Sequence, residues 1–144
     1  MSLKDLTEAT VRAALEEYER LFSRLDVDGI VAGFADDARV RFSSYEPFTG
    51  KERLKTFLSQ RFAGMKDYRL TKRLEVLHPP RFAASWTAEW IDSVTGARME
   101  GFGTEILAVK DGLFEEWIAS FSVWRHGDLV KIPGAKHQGG VLAR

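Results

Sequence analysis

Glu105 is the acidic residue of this sequence that is best placed for chemistry. One predicted strand puts it on the same face as Met99, Gly101, Gly103 and Leu107, which are small or apolar. A carboxylate in such surroundings is either held protonated or given a buried partner, as functional acids are. The structural alternative is an outward glutamate that pairs across strands or with a second subunit. We favour a functional acid.

Tyr18 is the second candidate, because it adds a hydroxyl group to the apolar stripe of a predicted helix. Two interpretations remain open. Tyr18 is either a core residue whose hydroxyl bonds to the backbone, or a hydrogen-bond donor in a ligand pocket.

Most other polar side chains fit structural roles better. Glu89 lies opposite the strand face of Trp86 and Trp90, so it points outward if the bulky residues fill the interior. The same alternation makes both tryptophans wall or core residues. Asp36 and Asp37 fall at a predicted helix-to-strand turn, where aspartate commonly bonds to backbone donors.

No metal or cofactor site is predicted. His78, His126 and His137 are too scattered to bind a metal together. The Gly-Phe-Gly run at 101–103 does not complete a dinucleotide-binding fingerprint, and we interpret its glycines as points where a curved sheet bends. Cysteine is absent, which excludes disulfides and thiolate chemistry.

The spacing of apolar residues predicts three helices before residue 65. Thr7 is the expected N-cap of the first helix, and Asp26 that of a short second helix. Thr49 and Glu52 predict a capping box at the start of the third helix, which ends near Gly64. The three apolar stripes comprise Val11, Leu15, Tyr18, Phe22 and Leu25, then Val27, Ile30, Val31 and Phe34, then Leu54, Phe57, Leu58 and Phe62.

Beyond the third helix the apolar period changes to two, which predicts strands. Tyr68, Leu70, Leu74 and Val76 form the buried face of the first of these. Further strands are expected at 81–92, 98–109 and 113–124, after an early one at 38–43. Helices followed by hairpin-linked strands indicate a segregated α+β fold of one domain over residues 1–126, with a tail at 127–144.

Composition narrows the choice of partners. The 144 residues are 44% hydrophobic and 12% aromatic, with a formal net charge of zero and no face-sized basic block. Nucleic acid and anionic membranes are therefore not expected partners. The first ten residues carry Lys4, Asp5 and Glu8 without an apolar run, so no signal peptide is predicted and a cytoplasmic location is the default.

Residues 26–40, DVDGIVAGFADDARV, resemble the short second helix and first strand of the nuclear transport factor 2-like superfamily. The similarity is greatest to ketosteroid isomerase and the SnoaL-like proteins, and the order of elements matches from residue 7 to residue 125. The resemblance implies a cone-shaped fold, in which a curved antiparallel sheet and three helices of the N-terminal half enclose a central apolar pocket. It does not imply one function.

The isomerase's working residues transfer only in part. Its oxyanion-hole tyrosine falls on Tyr18, and its protonated acid falls on or near Glu105. Its base falls on Phe42, whose phenyl ring cannot accept a proton. Tyr45 and Glu46, on the following loop, are candidate replacements for the base.

Three functional hypotheses remain open. The first is a protein that binds a small apolar, carbonyl-bearing molecule through Phe42, Tyr45, Trp86 and Trp90, without catalysis. The second is an isomerase, hydratase or cyclase with Tyr18 and Glu105 as oxyanion donors and an unidentified base. The third is a scaffold whose pocket is filled by its own side chains.

A homodimer is also expected, because the outer sheet face would expose Thr87, Ile91 and Trp117. Trp117 fits the pocket equally well.

Overall fold

The fold is α+β, as predicted, and a computed structural model describes it for residues 3–133. The predicted tail lies mostly outside the described residues, as does His137. The elements are α1 (Glu8–Ser23), α2 (Val27–Val31), β1 (Phe34–Phe42), β2 (Phe48–Thr49), α3 (Lys51–Ala63), β3 (Met65–His78), β4 (Arg81–Asp92), β5 (Arg98–Lys110) and β6 (Leu113–Arg125).

The six strands form one curved, unclosed sheet in the order β2-β1-β6-β5-β4-β3. Neighbouring strands are antiparallel, except that β1 runs parallel to β6. The helices cover the inner face, and the core lies between the two layers. None of the helices in the described part of the chain is long and apolar enough to span a membrane.

Two of the three predicted helix starts are confirmed. The Thr7 side chain caps α1, and Asp26 caps α2 by accepting a hydrogen bond from the Gly29 N–H at 2.9 Å. The predicted capping box of Thr49 and Glu52 is wrong, because the N-cap of α3 is Gly50 and no side chain caps this helix. Thr49 instead belongs to β2, where it pairs with β1.

Two strand predictions also need correction. Phe34 is not part of the second helix but begins β1, where its ring is fully buried. Val76 is 59% exposed, since an irregularity in the pairing of β3 with β4 between Leu74 and Val76 shifts the alternation by one residue. Leu77 is the partly buried residue after this shift.

The central strands alternate as the sequence predicted. Trp86 and Trp90 point inward, and Glu89 points outward, 3.8 Å from Arg69. Trp117 also points inward and is buried, so of the two alternatives left open for it the structure shows the inward one. Gly103 allows close packing, because a Cβ atom there would lie 2.6 Å from the Trp86 indole.

Candidate functional site

Two cavities lie side by side between the helices and the inner face of the sheet. We call the first the α3 cavity. About 50 Å³ of it can hold the centre of a water molecule, and its total volume with the part open to solvent is about 480 Å³. Its lining comprises Phe22, Phe42, Phe57, Leu58, Arg61, Tyr68, Leu70, Lys72, Trp86, Glu105, Trp117, Ala119 and Phe121.

Four of these side chains, Phe57, Arg61, Trp86 and Phe121, are only partly buried and form the mouth of the α3 cavity. The second space, the α1 cavity, holds the centre of a water molecule in only about 20 Å³. Its lining is almost entirely buried and comprises Ala14, Leu15, Tyr18, Phe22, Phe34, Lys72, Phe82, Glu105, Leu107, Phe114 and Trp117.

An ion pair of Lys72 and Glu105 separates the two cavities, and both residues line both of them. The Lys72 Nζ atom lies 2.6 Å from one Glu105 oxygen, and the Trp117 indole N–H donates to the other at 3.0 Å. The side chains of Lys72 and Glu105 are 6% and 1% exposed. Of the two alternatives expected for an inward Glu105, a protonated carboxyl group or a buried partner, the structure shows the buried partner, and both of its oxygens act as hydrogen-bond acceptors.

Lys72 is the residue that sequence reasoning missed. It occupies the inward position between Leu70 and Leu74 on β3, the edge strand of the sheet. Its backbone N–H, which has no neighbouring strand on that side, donates to Glu19 of α1 at 2.6 Å. The signal was present in the sequence, because a lysine in phase with a buried apolar face requires a buried acid.

Tyr18 reaches the α1 cavity together with Glu105, but its hydroxyl is already committed. It donates to the backbone carbonyl of Ile30 at 2.9 Å. Gly33 makes room for this bond, since a Cβ atom there would lie 2.2 Å from the hydroxyl oxygen. Burial, and to a smaller extent the charge of Glu17, raises the pKa of Tyr18 well above its usual value. This geometry corresponds to the structural interpretation of Tyr18.

Tyr68 is the buried tyrosine with a free hydroxyl. Its residue is 6% exposed, its ring packs against Phe22, Phe62 and Trp90, and it lines the α3 cavity. Within residues 3–133 its hydroxyl forms no hydrogen bond, and the oxygen is not fully buried. Burial raises the pKa of Tyr68 to about 12, against the opposing effect of the Arg61 charge. Tyr68 is therefore a neutral donor near pH 7.

Arg61, near the end of α3, is the charged side chain among the four that form the mouth. Its guanidinium lies over the Phe121 ring, 4.9 Å from the centroid. No carboxylate of the described residues lies within ion-pair distance of it. This arrangement holds the charge in place and leaves its N–H groups available.

The four predicted ligand contacts divide evenly. Phe42 and Trp86 line the α3 cavity, with Phe42 edge-on to Trp117 at a centroid distance of 4.6 Å. Trp90 packs against Tyr68. Tyr45 is 49% exposed and packs edge-on against Phe57. Neither Trp90 nor Tyr45 lines the cavity. Glu46, the other candidate replacement for the base, is exposed and is also not part of the lining. Among residues 3–133, no three histidine or acidic side chains come together as a metal site.

Comparison with known proteins identifies the class of fold. The sequence profile of a SnoaL-like domain matches residues 15–117. A search of curated proteins found no match. All three structures compared below share the fold at low sequence identity.

SalBIII, an epoxide hydrolase/cyclase-like enzyme with a role in pyran ring formation in the polyether salinomycin, has a TM-score of 0.67 at 16% identity, covering 81% of this chain and 98% of its own. An NTF2-like protein of unknown function from Burkholderia pseudomallei has a TM-score of 0.67 at 16% identity, covering 77% and 89%. An LEH-like epoxide hydrolase from M. tuberculosis has a TM-score of 0.59 at 19% identity, covering 76% and 80%.

Proposed function

The chain belongs to the SnoaL-like domain family, and from this premise we propose that it binds a small, mainly apolar molecule with a carbonyl group in the α3 cavity. The observation that carries the proposal is Tyr68, a buried residue that lines this cavity and whose hydroxyl has no hydrogen-bond partner among residues 3–133. A ligand oxygen that accepts from this hydroxyl in place of water gains about 0.5–1.5 kcal/mol of affinity.

The walls of the cavity suit a planar, apolar body. Phe42, Phe57, Trp86 and Trp117 supply aromatic surface, and such surface contributes most of the contact area in small-molecule sites. Only about 50 Å³ of the cavity can hold the centre of a water molecule, well below the roughly 300–1,000 Å³ of small-molecule pockets. A ligand must therefore displace the partly buried rings at the mouth.

Titration with 2-acetylnaphthalene, a planar aryl ketone, tests the proposal. We expect saturable binding, measured by the change in tryptophan fluorescence, that weakens about fivefold in Tyr68→Phe because one hydrogen bond is lost. Tyr18→Phe is the matched control and should bind as the wild type does, since its hydroxyl bonds to Ile30. Absence of saturable binding, or equal weakening in both variants, would contradict the proposal.

A second candidate function, an isomerase, hydratase or cyclase, is favoured by the ion pair of Lys72 and Glu105. Phe42 offers no base, but Glu105 lines the same cavity and its oxygens are acceptors. In this version Glu105 removes a proton from the carbon next to the ligand carbonyl, and the electron pair of the C–H bond forms a C=C bond. The π pair of the carbonyl moves to its oxygen, to which Tyr68 donates a hydrogen bond. The earlier version, with Tyr18 and Glu105 as oxyanion donors, requires both to give up their present partners.

Proton abstraction is measurable with the same ketone. A catalytic Glu105 would exchange the acetyl protons of 2-acetylnaphthalene for deuterium in D2O, detected by NMR as loss of the methyl signal. Glu105→Gln should abolish the exchange. Binding without exchange above the rate in buffer would leave the protein as a non-catalytic binder.

We further propose that the outer face of the sheet forms a homodimer. Phe102 and Ile106 on β5 are 50% and 43% exposed there, and Phe102 pairs with Thr87 of the predicted interface. Light scattering during size exclusion should give twice the monomer mass. Ile106→Arg should give a monomer, whereas Val76→Arg on the edge strand β3 should not. A wild-type monomer at micromolar concentration would contradict this proposal.

A further inference from the structure

We propose that the ligand of the α3 cavity is a monoanion, an aromatic or alicyclic carboxylic acid whose carboxylate binds to the Arg61 guanidinium and the Tyr68 hydroxyl. This inference rests on the proposed function and adds the charge of the ligand and the place of its head group.

The charges that line the cavity do not balance. Lys72 and Glu105 neutralise each other at 2.6 Å, whereas Arg61 has no carboxylate partner among the described residues. One positive charge is therefore in excess within a lining that is otherwise mainly aromatic and aliphatic. Such a site favours a ligand with one negative charge over a neutral molecule, and its apolar walls disfavour a small, multiply charged anion such as phosphate.

The position of Arg61 suits recognition of a carboxylate. The Arg61 guanidinium lies over the Phe121 ring, and a planar group restricted by such a contact loses less entropy when it binds. Its N–H groups are not engaged within residues 3–133, so they are available in the fork geometry that matches two carboxylate oxygens.

Tyr68 supplies a second donor at the same cavity. A carboxylate has about four acceptor positions on its two oxygens, so it accepts from Arg61 and from a phenol at the same time. Arg61 is near enough for its charge to act on the Tyr68 phenol, which keeps its proton near pH 7. The aromatic rings of the lining lower the local polarity, which strengthens the electrostatic interaction.

The experiment compares 2-naphthoate with 2-acetylnaphthalene, which share the ring system and differ in charge. We expect 2-naphthoate to bind more tightly to the wild-type protein. Arg61→Met keeps the aliphatic stem and should weaken 2-naphthoate binding about tenfold or more, the effect of losing a charged hydrogen bond, with less than a twofold change for the ketone. Arg53→Met is the matched control, because Arg53 is an exposed arginine of the same helix.

The outcomes separate this inference from the proposed function. If both compounds bind and Arg61→Met affects neither, or only the ketone binds, the carboxylate site is wrong and the proposed function stands. If neither compound binds to the folded wild-type protein, both proposals fall. Circular dichroism of each variant distinguishes loss of binding from loss of fold, and Tyr68→Phe, expected to weaken 2-naphthoate about fivefold, gives an independent measurement at the same head group.

Discussion

Tyr18 and Tyr68 are equally buried, at 6% exposure, and they lie in neighbouring cavities of the same core. Burial is the first cause of a raised pKa for both phenols. They differ in their partners, because the Tyr18 hydroxyl donates to Ile30 and the Tyr68 hydroxyl donates to no described residue. Burial alone therefore does not distinguish a structural tyrosine from one that awaits a ligand, whereas the hydrogen-bond partner does.

The boundary between the two cavities contains a charged pair beside the aromatic side chains of Phe22 and Trp117. Lys72 and Glu105 lie between the α1 cavity, which is almost entirely closed, and the α3 cavity, which is open at its mouth. Substitutions at this boundary should lower the free energy of unfolding most, since each member of a buried pair depends on the other.

Lys72→Met should have the largest effect on stability. The substitution leaves the Glu105 charge buried with only the Trp117 N–H, and breaking a buried pair in this way costs about 3–5 kcal/mol. Urea unfolding followed by tryptophan fluorescence measures the loss. Lys66→Met, at an exposed position of the same strand, is the control and should change the free energy of unfolding by less than about 0.5 kcal/mol.

The double variant with Lys72→Met and Glu105→Gln removes both charges and should recover part of the lost stability. If Lys72→Met alone costs less than about 1 kcal/mol, the pair is hydrated in solution, and the two cavities are one.

Gly33→Ala tests the α1 cavity. The new Cβ atom would lie 2.2 Å from the Tyr18 hydroxyl oxygen, so the tyrosine must move, at a cost of about 2–3 kcal/mol. In a Tyr18→Phe background the Cβ atom would instead meet the ring carbon at 3.4 Å, and the cost should fall below about 1 kcal/mol. Equal costs in both backgrounds would show that the hydroxyl does not occupy this position.

Tyr18→Phe should lower the free energy of unfolding by about 1–2 kcal/mol, because the Ile30 carbonyl loses its side-chain donor. The loss is moderate, since the Gly33 N–H still approaches this carbonyl at 3.4 Å. Urea unfolding at pH 7 measures it. If the variant is as stable as the wild type, the hydrogen bond of the Tyr18 hydroxyl contributes nothing to stability. Tyr18 and Tyr68 would then not differ in this respect.

The sequence was sufficient for the class of fold because long amphipathic stripes and period-two strands are strong local signals. It failed where neighbouring strands decided the outcome. Thr49 has the type of a helix cap, but pairing with β1 draws it into β2. Val76 follows the alternation of its strand until an irregular pairing with β4 turns it outward. Neither competing interaction can be read from residues near to it in the chain.

The site was predicted less completely, for a related reason. Glu105 was found because its strand neighbours are small and apolar, but its partner comes from a strand 33 positions earlier in the chain. Alternation alone places Lys72 inward, yet only the structure shows that it meets this acid. The sequence predicted Tyr68 only as a buried strand residue. Its distinguishing feature is a hydroxyl without a hydrogen-bond partner among the described residues, and a sequence pattern does not show this.

The smallest predicted effect concerns the Tyr68 phenol at alkaline pH. In the unfolded chain this phenol ionises near pH 10, whereas burial in the native state raises its pKa to about 12. Above pH 10 the unfolded state therefore binds fewer protons than the native state, and stability falls as the pH rises. At pH 11 the wild type should have lost about 1 kcal/mol more than Tyr68→Phe, relative to pH 7.

Urea unfolding of both proteins at pH 7 and pH 11 measures this difference, and other titrating groups cancel in the comparison. At pH 7 the two should agree within about 0.5 kcal/mol, because no partner loses a hydrogen bond when the Tyr68 hydroxyl is removed. Tyr18→Phe should show the same reduced loss at alkaline pH, although it differs from Tyr68→Phe at pH 7. If Tyr68→Phe loses as much stability as the wild type at pH 11, the phenol is already hydrated in the native state. Tyr68 would then behave as a surface tyrosine.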